Sequence, residues 1–290
     1  MDELRLEKSC EHLKKIENIG VVLKPNSPEL KDAFLKVEKL FLDKNIDLIL
    51  EKSSAQMISQ NGLDFDLMCQ KSDFLISIGG DGTLLGVVRK SFKYNLPVLG
   101  INLGTLGFLT DLKLEDLPSF IEDLLINDYK IEPRMMIEAQ IGDKKFIAFN
   151  DIVISRKNLS SMLEIKAKID KKEFNTYYGD GLIVSTPSGS TAYNLSVGGP
   201  IVYPLTNAFI ITPVAAHSLT QRPIVVPADF EIEFKTPSDE ATVIVDGQDL
   251  YDLKQNEIVN IKISKKSAKM LYRTKRDFFK VLSEKLRWGN

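Results

Sequence analysis

The segment Phe74–Val88, FLISIGGDGTLLGVV, places the strictest condition on the fold. Five mostly apolar residues of strand type run directly into GGDGT, and a helix-compatible apolar stretch, LLGVVRKSFKYN, follows at once. A strand that passes through glycines into a helix belongs to a parallel sheet. Its glycine corner then lies at the carboxyl edge, where open α/β sheets bind ligands. Glycines permit positive φ and close approach to a phosphate, and a helix starting there offers free N–H groups and the positive end of its dipole. Gly79, Gly80, Gly82 and Thr83 are therefore candidate phosphate-loop residues, the alternative being that the glycines only turn the chain. Asp81 fits neither role, because a carboxylate opposes a phosphate unless a metal ion or a proton to be removed gives it work. It is expected to be a magnesium ligand, a base or a helix N-cap.

The flanking sequence repeats the strand–helix alternation. Strands are expected at Ile19–Lys24, Asp47–Leu50, Phe74–Ile78 and Pro97–Ile101, with a helix over Glu29–Asn45. After Pro133 the pattern changes to short β-branched and aromatic runs: Met135–Gln140, Lys145–Ser155, Leu163–Ile169, Lys172–Tyr178, Gly181–Thr186, Ile224–Val226, Phe230–Lys235, Thr242–Val245 and Ile258–Ser264. An amphipathic helix is expected over Arg276–Leu286. The expected organisation is an α/β domain over 1–128, completed by a C-terminal helix at 275–290, and an all-β domain over 129–274.

Composition removes several function classes. No stretch reaches the ~18 apolar residues of a membrane span, and the charged opening MDELRLEKSCEHLKK lacks a signal-peptide core, so a cytoplasmic location and no membrane partner are expected. A net charge of -2 gives no reason to expect nucleic acid, although the basic run KKSAKMLYRTKR near the C-terminus reads as a solvated tail or an anion-facing edge. Cys10, Cys69, His12 and His217 show no metal-type spacing. The GGDGT string is neither a Walker loop nor a GxGxxG fingerprint.

A second glycine-rich stretch, GDGLIVSTPSGSTAYNLSVGGP, spans Gly179–Pro200 and concentrates hydroxyls at Ser185, Thr186, Ser188, Ser190, Thr191 and Ser196. Such a set suits a ribose, a pyrophosphate or an amide, with Tyr193 able to cap a ring. The bland reading is a polar turn and a helix start capped by Ser190 or Thr191.

GGDGT resembles the phosphate loop shared by NAD kinases, diacylglycerol and sphingosine kinases and phosphofructokinases. NLGTLGFLTD at Asn102–Asp111 and DGLIVSTPSGSTAYNLSVGGPIV resemble the NAD kinase family in particular, as do FNDIVI from Phe149, TPVAAHSLTQRPIV from Thr212 and VDGQ from Val245. The resemblance implies an α/β domain (parallel, Rossmann-like sheet) followed by a β-sandwich, with NAD between them and ATP as phosphate donor. It implies Asp81 as the catalytic aspartate, with Gly82 beside it at the dinucleotide. Asn150 and Asp151 take the place of an Asn–Glu pair holding ribose and adenine, Asp replacing the usual Glu. Asp180 takes a contact near the nicotinamide, and Tyr178 stands where many members carry a basic residue. Thr191, Ala192, Tyr193, Asn194, Leu195 and Ser196 form the loop around the dinucleotide, and Ala215 and Gln248 make contacts partly across a subunit boundary, within a homo-oligomer, dimer or tetramer. The implied reaction transfers the γ-phosphoryl of ATP, accompanied by Mg²⁺ or another divalent cation, to the 2′-hydroxyl of the adenosine ribose of NAD. The alternatives are a diacylglycerol-type lipid kinase and a non-catalytic dinucleotide sensor.

Overall fold

The computed structural model describes residues 11–104, 107–110, 112–157, 162–237 and 240–288. The opening MDELRLEKSC, and Thr105, Leu106 and Asp111 of the second glycine loop, lie outside the described residues. The chain divides into two compact units: one is Arg134–Ser267, and the other runs up to Pro133 and resumes at Ala268.

The discontinuous unit is α/β. Its strands are β1 (Asn18–Leu23), β2 (Asp47–Leu50), β3 (Phe74–Ile78), β4 (Pro97–Asn102), β5 (Leu112–Lys113), β6 (Tyr129–Arg134) and the C-terminal strand Ala268–Arg273. The sheet runs β2, β1, β3, β4, C-terminal strand, β6, with β5 also paired to β4. The pairings among β1–β5 and of β4 with the C-terminal strand are parallel.

Alternation along each strand explains how the helices are held. Ile19, Val21 and Leu23, with Phe74, Ile76, Ile78, Leu99 and Ile101, join one cluster with α1 (Lys31–Leu42) through Phe34, Val37 and Phe41. After α2 (Lys52–Met57), α3 (Phe65–Lys71) and α4 (Asp81–Ser91), α5 (Leu117–Leu125) adds Leu117, Phe120, Ile121 and Leu124 to that cluster. Positions of opposite parity face the other way. There Gly20 lies against Met68 and Ser72 of the α3 side, and Gly100 against Leu84 of α4 and Thr110. A Cβ at Gly20 would stand 2.6 Å from Leu75 Cδ2 and 2.8 Å from Ser72 Oγ, so glycine is needed there for room.

The contiguous unit is a β-sandwich. Its strands are β7 (Ile137–Ile141), β8 (Lys144–Ala148), β9 (Asp151–Arg156), β10 (Leu163–Ile169), β11 (Lys172–Gly179), β12 (Gly181–Ser185), β13 (Ala208–Val214), β14 (Ile224–Pro227), β15 (Ile232–Lys235), β16 (Ala241–Val245), β17 (Asp249–Leu253) and β18 (Ile258–Ile263). They form two six-stranded sheets, ordered β11-β10-β15-β18-β7-β8 and β14-β13-β12-β9-β16-β17. One core joins them: Ile137, Ile165, Phe234 and Ile261 of the first sheet cluster with Ile154, Leu182, Phe209 and Val243 of the second.

Two expectations change. Lys145–Ser155, read as one strand, is β8 and β9, which lie in different sheets and break at Phe149–Asn150. The basic C-terminal run is not a tail: Ala268–Arg273 is an inner strand between β4 and β6, with Met270, Leu271 and Tyr272 buried. Its lysines and arginines hid a run of three successive buried residues, so that both faces of the strand are covered.

Replacing Gly20 by Val forces a branched side chain against α3 and Leu75. Overpacking of this kind lowers stability by ~1–3 kcal/mol; chemical denaturation of G20V beside wild type checks it, and equal midpoints would refute the packing account.

Candidate active site

The glycine corner is built as its sequence suggests, but for a different reason. Gly80 is the N-cap of α4 with extended backbone (φ -99°, ψ -173°), and its carbonyl accepts from the N–H groups of Thr83 and Leu84 at 3.1 and 3.2 Å. Gly79, Gly80 and Gly82 are not among the positive-φ residues. What they supply is space. A Cβ at Gly79 would lie 2.6 Å from Thr83 Oγ1, while at Gly80 and Gly82 nothing among the described residues beyond their own helix and chain neighbours lies within 4 Å of that position. The absence of side chains at Gly80 and Gly82 leaves room at the strand–helix corner, as close approach of a phosphate requires.

Asp81 is the first residue of α4, and the N-cap position before it is held by Gly80. The N-cap alternative is therefore set aside. The carboxylate instead reaches the second glycine loop. Oδ2 accepts from Phe108 N–H at 2.8 Å; Oδ1 accepts from Leu109 N–H at 3.2 Å, Thr110 N–H at 2.9 Å and the Thr110 hydroxyl at 2.7 Å. Gly107 N–H closes the turn onto Thr110 O at 3.0 Å. A Cβ at Gly107 would fall 2.0 Å from Asp81 Oδ1, so only glycine admits the carboxylate. Asn102 Nδ2 donates to Thr110 O and Oγ1 at 3.3 and 3.2 Å, and Arg276 Nη2 donates to Phe108 O at 2.8 Å.

In the sandwich unit a second aspartate organises a second turn. Asp246, in the VDGQ segment, accepts from three successive N–H groups: Phe149 to Oδ2 at 2.8 Å, and Asn150 and Asp151 to Oδ1 at 2.7 and 2.9 Å. Those bonds pull the backbone out of the ladder and separate β8 from β9. Asp246 and Gly247 take φ of 52° and 65°, which lets the β16–β17 turn present the carboxylate. Asn150 carbonyl accepts from Thr186 N–H at 2.8 Å and from the Ser185 hydroxyl at 3.2 Å, and Thr186 Oγ1 donates to Phe149 O at 2.7 Å. A Cβ at Gly189 would lie 2.1 Å from Asn150 O. The FND and STPSG segments thus form one surface, on which Asn150 Oδ1 and Ser188 Oγ are buried and make no protein hydrogen bond. Asp151 is 4% exposed, and burial, then the neighbouring Asp246 carboxylate, pushes its carboxyl up to about 7.

The hydroxyl-rich stretch divides between scaffold and surface. Ser190 caps no helix: its hydroxyl donates to Pro187 O at 2.7 Å and accepts from Val202 N–H at 3.1 Å. Tyr193–Ser196 make the one-turn helix α6, whose N-cap is Ala192. Asn194 is fully buried, donating to Ser190 O and Pro200 O at 3.1 and 3.0 Å and accepting from the Thr212 hydroxyl at 2.7 Å. It is committed to the protein. Thr191, Ala192 and Leu195 are half-buried, and Tyr193 and Ser196 are exposed.

The remaining site candidates fall into two places. Asp180 precedes β12 and Thr186 follows it, so at ~3.3 Å per residue they are ~20 Å apart. Asp180 pairs with Arg156 at 3.2 Å, and near it lie Tyr178, Ala215 and His217, whose N–H donates to Tyr178 O at 2.9 Å. Gln248, by contrast, lies two residues beyond Asp246, in the turn beside Asp151. The structure therefore separates Ala215 from Gln248 and puts only Gln248 at the Asn150 end. Sequence reasoning passed over Asp246, Thr110 and Arg276. VDG after a strand signals a turn, but nothing local says which N–H groups its carboxylate will meet.

Comparison with known proteins settles the family. Residues 19–129 match the ATP-NAD kinase N-terminal domain and residues 149–273 the ATP-NAD kinase C-terminal domain. The NAD kinase of Sulfurimonas denitrificans is 49% identical over 278 residues, 94% of this chain and 98% of that protein. The chain belongs to the NAD kinase family. The NAD kinase of Wolinella succinogenes is 44% identical over 96% of this chain and 98% of its own length. Among solved structures, yeast NADH kinase complexed with NADH superposes with a TM-score of 0.86 at 25% identity, covering 95% of this chain and 89% of that one. An NAD kinase from Archaeoglobus fulgidus in complex with ATP gives 0.76 at 25% identity, covering 93% and 98%. Both matching family models are of ATP-NAD kinase, so neither a lipid kinase nor a non-catalytic sensor is favoured.

For this NAD kinase family member, Asp151 gives a signed pH dependence. Unfolded, its carboxyl ionises near ~4, whereas the folded protein holds the proton to about 7. Between those values the folded state binds more protons, so stability falls as pH rises. D151N cannot ionise, and its melting temperature gains on wild type from about pH 4 to about pH 7 before levelling off. Thermal melts across that range check it; a difference that does not change with pH would refute it.

Proposed function

We propose that the protein transfers the γ-phosphoryl of ATP to the 2′-hydroxyl of the adenosine ribose of NAD, giving NADP and ADP, with Asp81 as the base. The observation that carries the residue assignment is the held carboxylate: both oxygens of Asp81 are fixed by the 107–110 turn, beside the glycine corner at the start of α4. The O2′–Pγ bond forms, the bond from Pγ to the β,γ-bridging oxygen breaks, ADP leaves, and the hydroxyl proton passes to Asp81 and then to solvent. In a loose phosphoryl-transfer transition state the proton leaves late, so an aspartate of ordinary basicity serves if it is correctly placed.

The divalent cation arrives as part of the substrate, on the triphosphate. Among the described residues no group of three His, Cys, Asp or Glu side chains is placed to hold an ion. The Gly79 and Thr83 N–H groups are bonded to Ile101 O and Gly80 O, so the Gly80–Asp81 backbone at the start of α4 is where the phosphates approach. Asn150 Oδ1 and Ser188 Oγ, buried and without protein hydrogen bonds, suit the adenine amino group and the ribose hydroxyls of the adenosine. Gln248 and the exposed Tyr193 add to that adenosine set, whereas Asp180, Tyr178 and Ala215, at the far end of β12, suit the nicotinamide end or a second copy of the chain in a homo-oligomer. A cytoplasmic location supplies both substrates. Among the described residues no helix is long and apolar enough to cross a membrane.

Wild type incubated with NAD and Mg·ATP produces NADP, read by an NADP-specific dehydrogenase. D81N retains NAD binding by calorimetry and loses ~10²–10⁴-fold in kcat. A D81N enzyme of near wild-type rate would remove Asp81 from the role of base.

A further inference from the structure

We propose that Thr110 is a positioning residue for the transfer: its hydroxyl helps saturate Oδ1 of Asp81, which leaves Oδ2 as the oxygen that receives the ribose proton. This rests on the reading of Asp81 as base. Among the described residues Oδ1 takes three donors, the N–H groups of Leu109 and Thr110 and the Thr110 hydroxyl, whereas Oδ2 takes only Phe108 N–H. An ionised carboxylate offers about two lone-pair sites on each oxygen. Oδ1 is therefore filled and Oδ2 keeps one acceptor site.

The direction of the Thr110 hydroxyl is itself set. Asn102 Nδ2 donates to Oγ1 at 3.2 Å, so the hydroxyl accepts from Asn102 and gives its own proton to Asp81 at 2.7 Å. Thr110 is fully buried and acts only through the carboxylate. Its methyl lies against Gly100, where an added Cβ would stand 2.7 Å from Cγ2. The single donor on Oδ2 is fixed from behind as well: Arg276 Nη2 holds Phe108 O at 2.8 Å, and its guanidinium stacks 4.0 Å over the Tyr272 ring. Without the hydroxyl, Oδ1 loses its shortest bond and its one side-chain donor and is held by two N–H groups alone, so the carboxylate can turn and offer either oxygen to a reacting hydroxyl whose alignment decides the rate.

Two variants separate this from a packing role. T110V keeps the methyl and the N–H but deletes the hydroxyl; T110S keeps the hydroxyl. With NAD and Mg·ATP, T110V is expected to lose ~10-fold or more in kcat. KM for both substrates stays within about threefold and T110S recovers to within about threefold of wild type. In the D81N background T110V adds nothing further. Wild-type kcat in T110V, a loss that T110S fails to restore, or an equal loss on top of D81N would each overturn the assignment. If valine blocks folding, judged by the thermal melt, T110A with T110S makes the same comparison. Absence of ATP-dependent NADP formation by wild type would instead overturn the functional reading, and this proposal with it.

Discussion

The carboxylate of Asp81 is bound to the backbone of a turn that lies 27 to 29 residues further along the chain, and the local design of the α/β unit follows from that attachment. Four donors on one half-exposed side chain fix the start of α4 against the turn after β4. Charge-assisted bonds of this kind are shorter and stronger than neutral ones. They also demand glycine at 107 and at 100, where any side chain would strike Asp81 or Thr110. The glycines of this unit thus record close approaches more than unusual dihedral angles.

The sandwich unit uses the same chemistry to a different end. Asp246 takes three consecutive N–H groups and is 7% exposed, so its bonds shape the chain. The result is a backbone that leaves one sheet at Ala148 and enters another at Asp151, with Asn150 at the corner and its side-chain oxygen buried without a protein hydrogen bond. Asp151 sits beside this carboxylate, and its own burial first and the like charge of Asp246 second push its carboxyl up to about 7.

Much of this was legible in the sequence where periodicity was strong. The FLISI strand, the GGDGT corner and the apolar helix after it stand where expected, as does the break in pattern after Pro133. Short elements were not legible. α2, KSSAQM, carries no apolar period and exists because Glu51 accepts from Ser53 and Ser54 N–H at 3.0 and 2.9 Å. The β8–β9 break was invisible because KKFIAFNDIVIS alternates well enough for one strand, and the force that divides it comes from Asp246, about 95 residues away. At the site, residue types that carry chemistry could be picked out. Residues that orient them through the backbone, such as Thr110 and Arg276, have no local mark.

The inner position of Ala268–Arg273 bears on how the chain assembles during synthesis. The sandwich is contiguous, and its strands are all available once residue 267 has left the ribosome. The parallel sheet cannot close between β4 and β6 until residue 273 has emerged, so the half that begins first is completed last. Until then β4 and β6 each lack a neighbour, and unpaired edges of this kind are where a nascent chain is most open to misassembly.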